Sequence, residues 1–167
     1  FAADMQQKAR GRWIDAALES MILSNRLAAD CLFRHGATAC TAITGFGLLG
    51  HMVEVIRPSG VDVEIDMASL PVMDGALDTV RMGILSSLQP ANVRLRRAIF
   101  NQAEAVASDL YPLVFDPQTS GGLLASVPET RAEACVKALK ETGYPASAII
   151  GRVMPQSDNL EPVTLRL

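Results

Sequence analysis

Seven residues in the middle of the chain, Val61-Asp62-Val63-Glu64-Ile65-Asp66-Met67, alternate strictly between apolar and acidic side chains. Successive side chains of a β-strand point to opposite faces, so this pattern predicts a strand with one packed and one solvated face. The central strands of a doubly wound parallel sheet are apolar on both faces. The alternation therefore favours an α+β fold, in which helices cover one face of a mixed or antiparallel sheet.

Helical patterns precede and follow this strand. Apolar residues recur at helical spacing from Trp13 to Phe33, which predicts one long helix that Gly36 ends, with Arg34 and His35 at its negative end. The remaining predicted elements are a short strand over Ala37–Ile43, a helix over Phe46–Arg57, a short helix over Asp74–Met82 with Asp74 as N-cap, a helical stretch over Ala91–Ala107, a βαβ-like unit of Leu123–Val127, Glu129–Glu141 and Ser147–Val153, and an edge strand over Val163–Leu167.

The size and charge of the chain exclude some classes of partner. Its 167 residues carry 15 basic and 18 acidic side chains, a formal net charge of −3 at pH 7, and this length suits one domain with a sizeable core. The charge gives no general attraction to nucleic acid or to anionic membranes, so we expect neither as a partner. No apolar run approaches the roughly 18 residues of a membrane span, and no signal-peptide pattern is present, so a cytoplasmic location is expected.

The cysteines and the first residues carry two further expectations. Cys31, Cys40 and Cys135 are odd in number and far apart, which is typical of buried, reduced thiols rather than of disulfides or a metal site. The chain begins with Phe1, and a polar run leads from there into the first predicted helix. We therefore expect residues 1–12 to be a linker from a missing N-terminal region and residues 13–167 to form the domain.

The stretch Thr41-Ala42-Ile43-Thr44-Gly45-Phe46-Gly47-Leu48-Leu49-Gly50-His51 places three glycines at G-x-G-x-x-G spacing between a predicted strand and a predicted helix. Such glycines let backbone N–H groups approach an anion at the positive end of the helix. With Glu64 or Asp66 about 20 residues later, the spacing also fits a dinucleotide fingerprint. The polar preceding strand and the alternating following strand argue against that interpretation. A purely structural role, a tight turn from strand into helix, stays open.

A second glycine-bearing stretch, Asp116-Pro117-Gln118-Thr119-Ser120-Gly121-Gly122-Leu123-Leu124, lies far along the chain. Together the two stretches resemble the motifs T-D-V-T-G-F-G-L-L-G-H and D-P-Q-T-S-G-G-L-L of the selenophosphate synthetase (selenide, water dikinase) family, in the same order and at a similar distance. Gly151-Arg152-Val153 is similar to the closing strand of that family. The resemblance runs from Lys8 to about Val153 and concerns only the C-terminal domain, which the broader group of aminoimidazole-ribonucleotide-synthetase-like enzymes shares.

This resemblance implies an AIR-synthase C-terminal-domain-like fold and ATP-dependent phosphoryl transfer, in which selenide, ATP and water give selenophosphate, AMP and phosphate. In that family the N-terminal domain carries the catalytic cysteine or selenocysteine, a lysine and most metal-binding aspartates, and none of those motifs occurs here. The C-terminal domain closes over the phosphate site. The resemblance thus implies ATP and Mg²⁺ as cofactors of the longer protein, its N-terminal ATP-binding domain as a partner, a homodimer, and a fragment that is inactive alone and has no catalytic residue.

The sequence departs from the family motif at Ala42, where the family has an aspartate that binds Mg²⁺. A methyl group cannot coordinate a hard cation that requires oxygen ligands. Either Thr41, Thr44 or water substitutes for the carboxylate, or the metal site is impaired. No metal ligand is therefore predicted within this chain.

The residues predicted to lie near phosphate or nucleotide belong to the two glycine-bearing loops: Thr41, Thr44, Gly45, Gly47, Asp116, Gln118, Thr119, Ser120, Gly121 and Gly122. Asp116 and the three polar residues of its loop fit loop architecture equally well. His51 is interpreted chiefly as a hydrogen-bonded packing residue. Arg94, Arg96 and Arg97 suit either bidentate phosphate binding or a solvated helix face.

Three functions are compatible with these patterns. The first is the C-terminal half of a selenophosphate synthetase, which closes an ATP/Mg²⁺-dependent phosphotransfer site. The second is a non-catalytic regulatory domain that binds a nucleotide or phosphate, an alternative that Ala42 supports. The third, less favoured, is an NAD-binding oxidoreductase domain.

Overall fold

The computed structural model describes all residues, Phe1–Leu167, and contains eight α-helices and five strands. In chain order these are α1 (Ala2–Met5), α2 (Gly11–Ile22), α3 (Arg26–Arg34), β1 (Ala39–Ala42), α4 (Gly47–Ser59), β2 (Val61–Asp66), α5 (Ala76–Arg81), α6 (Gln89–Asn92), α7 (Gln102–Ala105), β3 (Leu123–Ser126), α8 (Glu129–Glu141), β4 (Gly151–Pro155) and β5 (Val163–Arg166). Single 3₁₀ segments cover Met67–Ser69, Val93–Ala98 and Tyr111–Phe115. The predicted α+β class is confirmed.

The alternating strand β2 is the centre of a three-stranded mixed sheet. It pairs antiparallel with β4 and parallel with β5. Val63 and Ile65 on its packed face are buried. On the opposite face the Glu64 carboxylate accepts hydrogen bonds from the guanidinium groups of Arg152 on β4 and Arg166 on β5. These hydrogen bonds lower the pKa of Glu64, the one from Arg166 most strongly.

The other two strands, β1 and β3, form a separate antiparallel pair in which Ala39 lies opposite Ser126 and Ala42 lies opposite Leu123. The prediction of a βαβ-like unit is therefore wrong, because β3 and β4 belong to different sheets. The helix of that unit was placed correctly, with α8 covering Glu129–Glu141. Its second strand begins at Gly151, four residues later than predicted.

Two apolar clusters stabilise these layers. The larger one joins α4, the central strand β2 and the outer strand β5 of the three-stranded sheet, and the Tyr111–Phe115 segment. Its most deeply buried side chains include Leu49, Met67, Val114, Phe115 and Leu165. The smaller one lies between α3 and α8 and contains Ala28, Cys31, Leu32, Cys135 and Leu139. None of the helices combines the length and the apolar character needed to cross a bilayer.

Three predicted helices differ in the structure. The long helix predicted from Trp13 to Phe33 is interrupted after Ile22, because Leu23 adopts an extended conformation before α3 begins at Arg26. The stretch predicted over Ala91–Ala107 consists of short α and 3₁₀ turns rather than one helix.

Asp74 is not the N-cap of the next helix, since α5 begins at Ala76 after Gly75. Gly75 has φ +82°, and a Cβ there would lie 2.2 Å from the indole ring of Trp13. The chain therefore turns at this glycine instead of at Asp74. At the end of α3, Gly36 has φ +79°, as expected for the glycine that follows a helix.

Candidate functional site

The pairing of β1 with β3 brings the two glycine-bearing stretches side by side. The ladder continues past both strands, because the Ile43 N–H donates to the Gly122 carbonyl at 2.9 Å. Beyond it, the Gln118 N–H donates to the Thr44 carbonyl at 3.0 Å. Stretches that lie more than 70 residues apart in the chain therefore form one continuous pair of loops. We call residues 43–47 and 116–122 the paired loops.

Two glycines of the paired loops are required by close backbone approach. A Cβ at Gly121 would lie 2.3 Å from the Ile43 carbonyl oxygen, which no side chain can accommodate. Gly47 has φ +69°, and a Cβ there would lie 2.9 Å from the Asp116 carbonyl oxygen. These positions are glycine because the two loops touch through their backbones. The third glycine of the first motif, Gly50, is required by contact with Phe46.

The other two glycines of the paired loops, Gly45 and Gly122, have no such close neighbour. Neither has a positive φ, and a Cβ added to either would meet no atom within 4 Å. Neither conformation nor packing within this chain therefore requires glycine at these two positions. The space beside their backbones is open to a group from outside the chain.

Helix α4 begins immediately after the first of the paired loops. Phe46 is its N-cap residue and supplies no side-chain hydrogen bond to the first turn. The backbone N–H groups of a first helical turn have no partner within the helix and carry partial positive charge. The Gly47 N–H already donates to the Thr44 carbonyl at 3.0 Å, so the donors that remain at the start of this 13-residue helix, close to Gly45, are the N–H groups of Leu48 and Leu49.

Two asparagine side chains hold the paired loops in place. The buried Asn92 amide donates to the carbonyl oxygens of Gly45 at 2.8 Å and Phe115 at 3.0 Å. Asn25, in the break between α2 and α3, donates to the Gly121 carbonyl at 2.9 Å. The sequence analysis did not identify either residue, because nothing in the local sequence marks either asparagine.

Behind the first loop, a polar chain runs from Thr44 through His51 to Glu54. The Thr44 hydroxyl lies 2.9 Å from His51 Nε2, and His51 Nδ1 lies 3.1 Å from a Glu54 carboxylate oxygen. His51 is 8% exposed. It acts as a packing residue that orients the Thr44 side chain, in agreement with its sequence interpretation.

The second loop carries a half-buried carboxyl group at Asp116. Burial raises the pKa of Asp116, although the Gln118 amide donates to its carboxylate at 3.0 Å and acts in the opposite direction. Thr119 and Ser120 are exposed at the outer side of this loop. Ser120 has φ +51°, a left-handed conformation that is uncommon for residues other than glycine.

The position of the family's aspartate lies at the end of β1. Ala42 is exposed there, while the neighbouring Thr41 is half-buried, because alternate residues of a strand face opposite sides. The only cluster of three or more cysteine, histidine or carboxylate side chains at metal-binding distance lies elsewhere, at Cys31, His35 and Cys135. The paired loops therefore hold no carboxylate cluster for a hard cation.

The three candidate arginines lie on the 3₁₀ segment that follows Asn92, and all are exposed. Arg94 lines an open groove of about 540 Å³ together with Phe46 and Arg57, next to the first loop. Arg96 lies close enough to Tyr111 to oppose the rise that burial causes in the pKa of that hydroxyl. One of the three arginines thus reaches the vicinity of the loops.

The architecture around the loop does not match a dinucleotide-binding unit. In such a unit the strands before and after the first helix are parallel neighbours in one sheet. Here β1 and β2, which flank α4, belong to different sheets. The Asp66 carboxylate is also occupied, since it accepts hydrogen bonds from the Ala68 N–H and the Ser69 hydroxyl.

Comparison with known proteins agrees with this arrangement. The family model described as AIR synthase related protein, C-terminal domain, matches residues 3–160. The chain is 36% identical over 144 residues to the selenide, water dikinase of Clostridioides difficile (strain 630), which covers 86% of this chain and 41% of that protein. It is 38% identical over 143 residues to the selenide, water dikinase of Caldanaerobacter subterraneus subsp. tengcongensis, which covers 85% of this chain and 41% of that protein.

A third relative is the selenide, water dikinase 2 of Peptoclostridium acidaminophilum, 35% identical over 147 residues, with 86% of this chain and 41% of that protein covered. The chain thus spans about 40% of the length of the curated relatives it matches. The resemblance inferred from the two motifs is confirmed. Because the family model matches nearly the whole sequence, the chain belongs to the family of AIR synthase related C-terminal domains.

Proposed function

We propose that this domain is the C-terminal half of a selenide, water dikinase and closes the phosphate site of that enzyme. The observation that carries the proposal is the open space at Gly45 and Gly122, two glycines that nothing within the chain requires. Both lie in the paired loops that resemble the family's motifs. Relatives that share 35–38% identity with the chain are named selenide, water dikinases.

The residues of the paired loops suit a phosphate group. Without a Cβ at Gly45 or Gly122, an anion can approach the backbone closely. The first turn of α4, which follows Gly45 closely in the chain, provides N–H donors and partial positive charge. The exposed hydroxyls of Thr119 and Ser120 add further donors. ATP is the phosphate compound that the proposed reaction requires, and its phosphates would supply the group that is transferred.

The same residues do not suit Mg²⁺ by themselves. Mg²⁺ prefers several oxygen ligands in octahedral geometry, usually including carboxylates and substrate phosphates. The family's aspartate is replaced by Ala42, and the nearest carboxyl group of the paired loops, Asp116, has a pKa raised by burial. The ion must therefore be held chiefly by phosphate oxygens and by residues outside this chain.

The proposed partner is an ATP-binding domain of the same polypeptide. An exposed apolar side chain lies within the paired loops: Phe46, directly before α4, is 54% exposed. Such side chains next to an open polar site are typical of a surface that another domain covers. We also propose a cytoplasmic location and a homodimer for the longer protein, as the family resemblance implies.

A non-catalytic regulatory domain is the second candidate, and Ala42 favours it. In that case the paired loops would still bind phosphate, but no phosphoryl transfer would follow. An assay of the full-length protein that contains this domain, incubated with ATP, Mg²⁺ and selenide, distinguishes between the two functions. If the protein is the enzyme, we expect selenide-dependent formation of AMP and selenophosphate, measured by phosphorus NMR. Binding of ATP without selenide-dependent turnover would contradict the enzyme and support the regulatory domain.

A further inference from the structure

Three side chains with metal-binding chemistry meet between α3 and α8, away from the paired loops. Cys31 and His35 lie on α3, and Cys135 faces them from α8. One ligand atom from each residue lies within 4.8 Å of the other two. The Cys31 sulfur is 3.6 Å from His35 Nδ1. The sequence predicts that all three cysteines are buried, reduced thiols; the prediction is wrong for Cys40, which is exposed, whereas the buried Cys31 and Cys135 belong to this cluster.

The fold brings these side chains together for simple geometric reasons. Cys31 and His35 are four residues apart, so they lie on the same face of α3. Cys135 occupies the centre of the α8 face that packs on α3. Both thiols are nearly inaccessible, 1% and 2% exposed, whereas His35 is half-buried and leaves a route to solvent.

We propose that Cys31, Cys135 and His35 form a binding site for a thiophilic cation of the Zn²⁺ type. Zn²⁺ binds thiolate sulfur at about 2.3 Å and imidazole nitrogen at about 2.0–2.1 Å, so two ligand atoms of one tetrahedral ion lie about 3.5–4 Å apart. The sulfur-to-nitrogen distance of 3.6 Å already fits this value. The remaining distances, at most 4.8 Å, need only a small contraction.

The electrostatic surroundings also favour a cation. His35 is the C-cap of α3, and the carbonyl groups at this end of the helix carry partial negative charge. His35 Nδ1 now lies 2.8 Å from the Cys31 carbonyl oxygen, a hydrogen bond that holds the ring toward the two thiols. The apolar side chains around the cluster, such as Leu32 and Leu139, exclude competing water from the sulfur side.

Binding would proceed with a defined proton balance. Both thiols lose their protons to solvent and bind as thiolates. The imidazole, whose Nδ1–H now donates to the Cys31 carbonyl, loses that proton to solvent, takes one up on Nε2 and binds the ion as the neutral ring through Nδ1. Nδ1 thereby gives up its hydrogen bond to the Cys31 carbonyl. Water occupies the fourth position on the half-exposed side of His35. The ion would tie α3 to α8 across the 103 residues that separate the two cysteines in the sequence.

The proposal is tested by metal titration of the reduced, chelator-treated 167-residue chain. We expect one Zn²⁺ to bind in competition with a chromophoric chelator, and Co²⁺ to produce a sulfur-to-cobalt charge-transfer band in the near ultraviolet. The variants Cys31→Ser, Cys135→Ser and His35→Ala should each bind Zn²⁺ at least tenfold more weakly. Cys40→Ser is the matched control, because this exposed thiol lies outside the cluster, and its affinity should equal that of the parent chain.

If a buried serine prevents folding, His35→Ala still decides the matter, because this side chain is half-buried at a helix end. Zn²⁺ should raise the midpoint of thermal unfolding for the parent chain and Cys40→Ser, and should not raise it for His35→Ala. Equal Zn²⁺ affinity in the parent and the His35→Ala chain would overturn the proposal. So would the absence of a charge-transfer band, including the case in which Cys31 and Cys135 form a disulfide and bind no metal.

Discussion

At the scale of single residues, the four glycines of the paired loops separate into two kinds. Gly47 and Gly121 are glycine because backbone atoms of the opposite loop lie too close for a Cβ. Gly45 and Gly122 meet no such atom, so a side chain there would occupy the space that the proposal gives to phosphate. The sequence motif alone does not distinguish these two kinds of glycine. Because only Gly45 and Gly122 have room for a side chain, substitutions at these two positions test the phosphate proposal.

The residue that departs from the family motif leads to the first prediction. In the full-length protein, Ala42→Asp should lower the Mg²⁺ concentration needed for half-maximal activity and raise turnover, because it adds a hard oxygen ligand beside the phosphate site. In the isolated chain the substitution should change little, since the other ligands lie outside it. Activity measured over a Mg²⁺ series checks this. Unchanged metal dependence would show that position 42 is not near the metal.

At the scale of elements, one of the two amides that hold the paired loops, that of Asn92, joins the first loop to Phe115, directly before the second loop. Asn92→Ala would remove two hydrogen bonds and leave the carbonyl groups of Gly45 and Phe115 without their buried donor. Such losses cost about 1–3 kcal/mol, and we expect a reduction of that size in the free energy of unfolding. Urea denaturation measures it. Asn159→Ala, at an exposed asparagine, serves as control and should change stability by less than about 0.5 kcal/mol; equal effects would contradict the bridging role.

The three-stranded sheet supplies a prediction on pH. The hydrogen bonds from Arg166 and Arg152 place the pKa of Glu64 below its unfolded value. The carboxylate therefore contributes stability at pH values above the unfolded pKa, about 4.3, and this contribution is lost as the pH falls through the lower, folded pKa.

Urea unfolding of the parent chain and Glu64→Gln tests this pH dependence. The difference between their midpoints should be greatest near pH 7 and should shrink below about pH 4. Glu133→Gln, at an exposed carboxylate without an ion pair, should show no such trend. A difference that stays constant down to pH 3 would mean that Glu64 does not stabilise the sheet through its charge.

Elements with a strong local pattern were predictable from the sequence, and those defined by distant partners were not. The alternation of β2 and the helix α8 were both placed correctly, because burial of one face leaves a periodic pattern. The break after Ile22 was missed, because the apolar residues keep their helical spacing across it; Asn25 in this break binds Gly121, almost a hundred residues away, and local spacing does not record that contact. The pairing of β3 with β1 was missed for the same reason: an apolar run does not specify its neighbour.

The loops of the candidate site were predictable from the sequence, whereas the residues that hold them were not. Both loops were identified from their glycines and polar residues, and the structure brings them together. The residues that hold them, Asn25 and Asn92, were not identified, because their role exists only after the fold has formed. The cluster of Cys31, His35 and Cys135 was hidden by the same long separation in sequence.

At the scale of the whole molecule, the chain has two apolar clusters and a continuous set of packed elements. We therefore expect the 167-residue chain to unfold in one cooperative thermal transition. The chain should also release no phosphate from ATP, since the proposed catalytic groups lie in another domain. Calorimetry together with a phosphate-release assay checks both statements. Selenide-dependent AMP formation by this chain alone would contradict the division of the active site between two domains.

The central claim, that the open glycines of the paired loops face the phosphate of a selenide, water dikinase, is tested most directly by turnover of two matched variants. Gly45 and Gly11 both have open space where a Cβ would lie, and neither has a positive φ. Gly45→Val and Gly11→Val in the full-length protein should therefore leave folding largely intact. The account predicts that selenide-dependent AMP formation falls at least tenfold in Gly45→Val and stays near the parent rate in Gly11→Val. Parent-like turnover in a folded Gly45→Val protein would contradict it.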